Sequence, residues 1–283
     1  MAKVRIGISG WRYAPWRGRF YPEGLRQKDE LAYAAGKFSS VEINGTFYSL
    51  QSPQSFADWY GTTPADFVFA VKGARYITHM LKLKNVEAPL ANFFAQGVLA
   101  LKEKLGPVLW QLPPNFAFRP DKLASFFELL PRTTRQALAL AKRHNEKVKA
   151  TFLKIDADRP IRHALEIRHE TFRVPEFIAL LRRHNIGLVV ADTVEWPLLM
   201  DATSDFVYVR LHGSQQLYAS GYGPKALDKW AARIRAWTSG GEAEGEHAGP
   251  PARRKARDVY VYFDNDAKVR APFDAINLIK RLT

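Results

Sequence analysis

The chain has 283 residues, 47% of them hydrophobic, and carries a formal net charge of +14. That length suits either one large α/β barrel or two ordinary domains, and the apolar content is ample for a sizeable core. The absence of cysteine excludes disulfides, thiolate nucleophiles and cysteine-ligated metal centres, and no apolar run reaches the roughly 18 to 20 residues that span a bilayer.

The opening residues, MAKVRIGISGW, enter a strand pattern at once and show no signal-peptide profile, so a soluble, cytoplasmic protein without a membrane partner is expected. The first strand runs over Val4 to Ser9, and the second, Ser39 to Thr46, follows a helix around Gln27 to Lys37. Ser52-Pro53 supplies a cap and a first-turn proline for a short helix before strand three, Phe67 to Lys72. An apolar helix near Pro89 to Leu105 stops at Gly106-Pro107, and Val108 to Leu112 is strand four. Helical stretches at Asp121 to Leu130 and Thr133 to His144 lead to strand five, Arg162 to Ile167. A helix at Pro175 to His184 feeds strand six, Ile186 to Asp192. Strand seven is Phe206-Val-Tyr-Val-Arg-Leu-His212, helix Pro224 to Thr238 follows, strand eight is Asp258 to Phe263, and a helix near Pro272 to Leu282 ends the series.

Strands alternating with helices imply a parallel sheet, and eight such units predict an α/β fold of the (β/α)8 TIM type, a single barrel domain over residues 1–283. The glycine-rich phosphate fingerprint of a dinucleotide-binding sheet is missing. Between the Pro224 to Thr238 helix and strand eight, GGEAEGEHAGPP gives way to ARRKAR; Gly, Pro and charge without periodicity predict a flexible insertion at about 239–257, on the amino-terminal side of the barrel.

Side chains alternate along a strand, so Val207, Val209 and Leu211 share one face and Tyr208, Arg210 and His212 the other. Carrying that inward phase around the barrel collects Ser9, Glu42, Asn44, Lys72, Gln111, Glu166, Arg168, Asp192, Arg210, His212 and Asp264, all near carboxyl ends of strands. Barrel enzymes place their chemistry at this level. One reading is a self-neutralising ion network that closes the mouth. The other is a ligand pocket in which Lys72, Arg168 and Arg210 hold phosphate or carboxylate, Asn44 and Gln111 add neutral polar contacts, Glu42, Glu166 or Asp192 exchange protons, and His212 assists. A divalent metal would rest on Glu166, Asp192, His212 and Asp264, although three cations in the same ring oppose it. His79, His163 and His169 read as structural or loop histidines. The loop from Gly10 to Tyr21 interleaves arginine with aromatics such as Trp11 and Tyr13, a composition that stacks bases or sugars, or simply anchors a long loop.

The segments IGISGWRYAPWRGRFYP, FSSVEINGTFYSL, FVFAVKGARYITHM, LGPVLWQLPPNF, HALEIRHETF, ADTVEWP, YVRLHG and VYVYFDND together resemble the YecE-like family, a domain-of-unknown-function family, over nearly the whole chain. The resemblance implies a barrel, and distant similarity of that family to endonuclease IV and xylose isomerase suggests nucleic acid as a partner. Motif positions carried over by match are Trp11, Tyr13, Glu42, Asn44, Thr46, Lys72, His79, Gln111, Glu166, Arg168, Asp192, Arg210, His212 and Asn265. The departures are the 239–257 insertion and Asp264, where asparagine is the more usual residue. The expected function is binding of a phosphate-bearing ligand, DNA or RNA foremost, with phosphodiester hydrolysis as its extension. The rivals are a sugar or sugar-phosphate isomerase or hydrolase, and a non-catalytic nucleic-acid-binding protein.

Overall fold

The computed structural model describes residues 2–213, 220–265 and 268–283. Eight parallel strands close a barrel in sequence order: β1 (Val4–Ser9), β2 (Ser40–Ile43), β3 (Val68–Lys72), β4 (Leu105–Gln111), β5 (His163–Glu166), β6 (Gly187–Asp192), β7 (Phe206–Leu211) and β8 (Asp258–Phe263), with β8 pairing back onto β1. Closure leaves no sheet edge to solvent. The helices around it are α1 (Glu30–Ala35), α2 (Gly45–Tyr48), α3 (Pro53–Thr62), α4 (Glu87–Ala95), α5 (Pro120–Leu129), α6 (Thr134–Ala141), α7 (Pro175–Arg183), α8 (Pro224–Thr238) and α9 (Ala271–Leu282). Proline in the first turn starts α3, α5, α7, α8 and α9, where its missing N–H is no loss. Among the described residues no helix is long and apolar enough to cross a membrane.

Outward side chains such as Val207, Val209 and Leu211 pack under the helices, while Ala70, Leu109, Ala164, Val189, Phe206, Tyr208, Tyr260 and Tyr262 fill the barrel. Three tyrosines in that filling carry hydroxyls, and each of them finds a partner, as burial demands. Tyr262 bonds Ser40 Oγ at 2.7 Å, Tyr208 donates to Glu42 Oε2 at 2.5 Å, and Tyr260 accepts from Arg162 at 3.1 Å. Arg162 also binds Asp205 and Asp258, both at 2.8 Å, and so plugs the amino-terminal end of the barrel. Gly7 allows β1 to meet β2: a Cβ there would stand 1.8 Å from the Ser40 carbonyl oxygen.

Two expectations change. The helix foreseen from Pro89 to Leu105 ends at Ala95; after Gly97 (φ 131°) the chain turns into a tight helical stretch, Val98–Lys104, interrupted at Lys102 (φ 49°). The 239–257 segment, expected to be flexible, is anchored. Asp201, almost wholly buried, accepts the backbone N–H groups of Ala248 and Gly249, Met200 N donates to the Glu246 carbonyl, and Arg182 and Arg233 donate to the carbonyls of Pro250 and Glu244. The reason is topological. No helix lies between β6 and β7, and the segment covers the flank between α7 and α8 that such a helix would occupy, with Gly249 against Ile178 and Gly245 against Met200. Its glycines are required by those close approaches, not by disorder.

Candidate site at the barrel mouth

Register fixes which predicted residues meet. Ser9 pairs with Glu42 across β1 and β2, and Gln111 with Glu166 across β4 and β5. Ala191, not Asp192, pairs with Arg210 across β6 and β7, and paired residues of parallel strands face the same way. Asp192 therefore points outward with Leu211, which corrects its expected place in the ring. Its carboxylate accepts the indole N–H of Trp230 on α8 at 3.0 Å. Tyr222, whose phenol is raised well above its ordinary pKa by burial and next by Asp192, completes that outer contact.

Glu42, Glu166 and Asp264 do meet, and Arg210 sits between them with no exposed side-chain surface. Its Nε and Nη2 grip Glu42 at 3.2 and 2.9 Å, Nη1 reaches Glu166 Oε2 at 2.7 Å, and Nη2 also reaches Asp264 Oδ2 at 2.7 Å and Ser9 Oγ at 3.1 Å. Glu42 is saturated, because Ser9 Oγ and the Tyr208 hydroxyl donate to its two oxygens at 2.5 Å each. Burial alone would raise the Glu166 carboxyl, but Arg210 and then Arg168 outweigh it and hold the group well below the usual carboxylate range; Asp264 is held low in the same way by Arg210 and His212. These are permanent counter-ions of a buried guanidinium, which is how a buried charge becomes tolerable.

Arg168 is partly consumed as well. Its Nε donates to Glu166 Oε1 at 2.8 Å while the guanidinium lies over Trp196, 3.7 Å from the ring centroid. His212 is fully buried, with Nδ1 3.1 Å from Asp264 Oδ2, Nε2 3.9 Å from Glu166 Oε2 and the Trp196 ring edge-on at 5.6 Å.

Lys72 differs. Its side chain is buried, its ammonium lies 4.4 Å from the centroid of Phe47, and it has no hydrogen-bond acceptor or ion-pair partner among the described residues. Burial, then repulsion from Arg210, pushes its pKa down to about 8 against the pull of Glu42, Asp264 and Glu166. His79, half-buried nearby, is pushed down to about 4 by burial and by Arg168 and Lys72, and stands neutral at pH 7. Its Nδ1 is 2.9 Å from Thr78 Oγ1.

The remaining candidates divide. Asn44 Nδ2 donates to Ser9 Oγ at 2.9 Å, and the buried amide oxygens of Asn44 and Gln111 have no donor among the described residues. Asn265 is fully buried and donates to the Ser220 carbonyl and to Asp274, and its amide oxygen has no donor among the described residues. Trp11 and Tyr13 are tied down: the Trp11 carbonyl accepts from Tyr21, its ring meets Trp59 edge-on at 5.4 Å, and Tyr13 donates to the Ser9 carbonyl at 2.6 Å. Both still line a cavity. His163 is structural, accepting Trp110 Nε1 at 3.1 Å deep in the core, and His169 caps a short turn. As for the metal set, no group of three or more His, Asp or Glu suited to an ion occurs among the described residues. Asp192 faces away, and the carboxylates that remain already surround Arg210, so the donor set does not fit a resident divalent ion.

Strand phase does not find Phe47, Tyr48 and Tyr76, because they lie beyond the strands, in α2 after β2 and in the helical turn Tyr76–Met80 after β3. The signal that would have found them is FYSL and ARYITHM directly after strand ends, with large aromatic side chains where loops are usually polar. Tyr48 is 69% exposed and Tyr76 41%.

An eight-stranded parallel barrel whose carboxyl-end mouth is floored by one buried arginine and three acidic side chains, with a free lysine above, defines the class of protein. The chain belongs to the family described as Protein of unknown function DUF72, which it matches over residues 5–283. It is similar to UPF0759 protein YecE of Escherichia coli, 28% identical over 129 residues, and to UPF0759 protein YunF of Bacillus subtilis, 25% identical over 126 residues. Those matches cover 45% and 43% of this chain and 44% of each relative, so the similarity spans less than half the length of the curated relatives. A solved DUF72 family protein from Thermotoga maritima is 26% identical with a TM-score of 0.75, covering 99% of both chains. A second, from Enterococcus faecalis, shares the fold at 16% identity and a TM-score of 0.69, covering 99% of this chain and 95% of that one.

Proposed function

We propose that the barrel mouth binds a phosphate-bearing ligand without cleaving it, with Lys72 as the ligand-facing cation. The observation that carries this is Lys72, only 7% exposed, whose ammonium has no acceptor among the described residues, whereas Arg168 and Arg210 are ion-paired to carboxylates of the ring. An anionic oxygen supplies that acceptor. Arg168, held over Trp196 and paired to Glu166 through Nε and Nη2, lines the same mouth and offers its remaining N–H groups. Arg210 is the floor beneath, not a phosphate clamp, because its donors are already committed to Glu42, Glu166, Asp264 and Ser9. Binding is favoured over phosphodiester hydrolysis and over sugar isomerisation for one reason: Glu42 and Glu166, the carboxylates either reaction would use, are committed to buried ion pairs with Arg210, and Glu166 is held well below the usual carboxylate range. The net charge of +14 makes nucleic acid the favoured carrier of the phosphate.

Isothermal titration of inorganic phosphate, a sugar phosphate and a nucleoside monophosphate against wild type and Lys72→Met tests this. Binding by wild type that falls at least about tenfold in a folded Lys72→Met variant is the expected result, the scale of one lost charge-assisted contact. Equal binding by both, or tighter binding of the unphosphorylated sugar titrated alongside as a control, would overturn it.

A further inference from the structure

Beside the mouth lie two cavities of about 450 and about 350 Å³ that share one wall, the side chain of Tyr48. The larger is lined by Phe47, Tyr76, Ile77 and Leu81, with Asn85 at its margin. The smaller is lined by Trp11, Tyr13, Trp59, Asn44 and Gln51. Both fall in the size range of sites for small organic groups, about 300 to 1,000 Å³. Among the described residues Tyr48 is the most exposed of the large apolar side chains, and its one described ring contact is edge-on to Phe47 at 5.1 Å. Its exposed ring is therefore available on the side of each cavity.

The surroundings are cationic. Phe47 carries Lys72 at 4.4 Å, Tyr76 carries Lys147 at 5.5 Å, Arg12 lines the smaller cavity, and Arg75 is exposed on the loop after β3. That loop is held in an irregular shape by a π-helical turn at Tyr76–Met80 and by positive φ at Lys82, Leu83 and Asn85, which keeps Tyr76 at the rim. Flat aromatic faces, amide edges and flanking cations in one patch match the chemistry of unstacked bases joined by phosphates. A duplex, whose bases face only one another, cannot offer them.

We propose that Tyr48 is a wedge between two successive bases of a single-stranded nucleic acid, one base in each cavity, with the strand's phosphates running toward Lys72. This rests on the reading that the mouth takes phosphate and adds the class of molecule that carries it. Stacking is sequence-tolerant, because every base has a π-face, so the site takes mixed sequences.

The test uses fluorescence anisotropy at about 0.15 M salt, with a labelled 12-nucleotide DNA strand, the same strand annealed to its complement, and an abasic deoxyribose-phosphate strand of equal length. Wild type, Tyr48→Ala and Lys72→Met are compared; Tyr48 is exposed, so its removal leaves the core intact. The wild type is expected to bind the base-bearing strand best. Tyr48→Ala should weaken that strand about tenfold or more, the loss expected for stacking, and leave the abasic strand unchanged. Lys72→Met should weaken both strands alike. Equal affinity for base-bearing and abasic strands, equal affinity for duplex, or no effect of Tyr48→Ala would overturn the wedge, while a surviving Lys72→Met effect would leave the phosphate reading standing. No binding of any strand would overturn the wedge as well, and the small-ligand titrations would then judge the phosphate site separately.

Discussion

Arg210 grips Glu42 side-on, Nε to Oε2 at 3.2 Å and Nη2 to Oε1 at 2.9 Å, with neither side chain exposed to solvent. Two-pronged contact of this kind needs the planar fork of arginine. Because the same guanidinium also faces Glu166 and Asp264, its removal leaves buried Glu42 with no cation and leaves Glu166 and Asp264 with only Arg168 and His212. Arg210→Met is expected to lose about 3 to 5 kcal/mol of stability, the range for breaking a buried pair by removing one partner. Arg210→Lys should recover little of it. Urea unfolding followed by tryptophan fluorescence measures both, and a loss below about 1 kcal/mol, the scale of an exposed ion pair, would refute the assignment.

The acid limb follows from the same cluster. Glu166 and Asp264 are held below the values near about 4 at which free carboxyls titrate. Below that pH the unfolded chain binds more protons than the folded one, so stability rises with pH there. The contribution is full above about pH 4 and is lost as pH falls through the depressed folded values. Acid unfolding followed by circular dichroism should show this loss, with a shallower pH dependence in Glu166→Gln, which has no charge to surrender.

Much of this was legible in the sequence, and the exceptions have physical causes. Strand β7 alternates valine and leucine with Tyr208, Arg210 and His212, so its phase is readable, and the partners Ser9, Glu42, Glu166 and Asp264 follow from it. Strand β6 reads Gly-Leu-Val-Val-Ala-Asp, apolar on both faces as a buried parallel strand is, so nothing in it fixes which way Asp192 points. The anchoring of residues 239–257 was hidden because its partners, Asp201, Arg182 and Arg233, lie on other elements. Saturation of Arg210 was hidden because it depends on distances among four strands, not on residue types.

Asp192 is accordingly a support for α8 and not part of the mouth. Asp192→Ala removes the acceptor of the Trp230 indole N–H and should cost about 1 to 3 kcal/mol, the penalty of an unsatisfied buried donor. Phosphate binding per folded molecule should be unchanged. A selective loss of binding with full stability would return Asp192 to the functional ring.

Lys72 imposes a stability cost of opposite pH sense. Its pKa falls from 10.5 to about 8 on folding, a gap corresponding to about 3 kcal/mol. Below pH 8 both states are protonated and the penalty is full. Between about 8 and 10.5 the unfolded chain holds more protons, so stability climbs with pH as the penalty disappears. Lys72→Met should therefore be more stable than wild type at pH 7, and the difference should shrink by pH 10. Paired unfolding curves at the two pH values check the sign, and a variant less stable than wild type at pH 7 would show the ammonium to be compensated after all.

The same proton links stability to binding. An anion that pairs with protonated Lys72 must raise its pKa, so affinity is constant below the free-protein value and declines above it, by up to about tenfold per pH unit until the bound-state value is reached. A phosphodiester probe is suited to the measurement because it does not itself titrate near neutral pH. With the Lys72 value at about 8, affinity for a single-stranded oligonucleotide should hold level from pH 6 to near 8 and fall beyond it in wild type. In Lys72→Met the curve should be weaker and flat across the same range. A decline of equal steepness in both proteins would place the titrating group elsewhere, and a level wild-type curve up to pH 10 would mean that the bound strand makes no contact with Lys72.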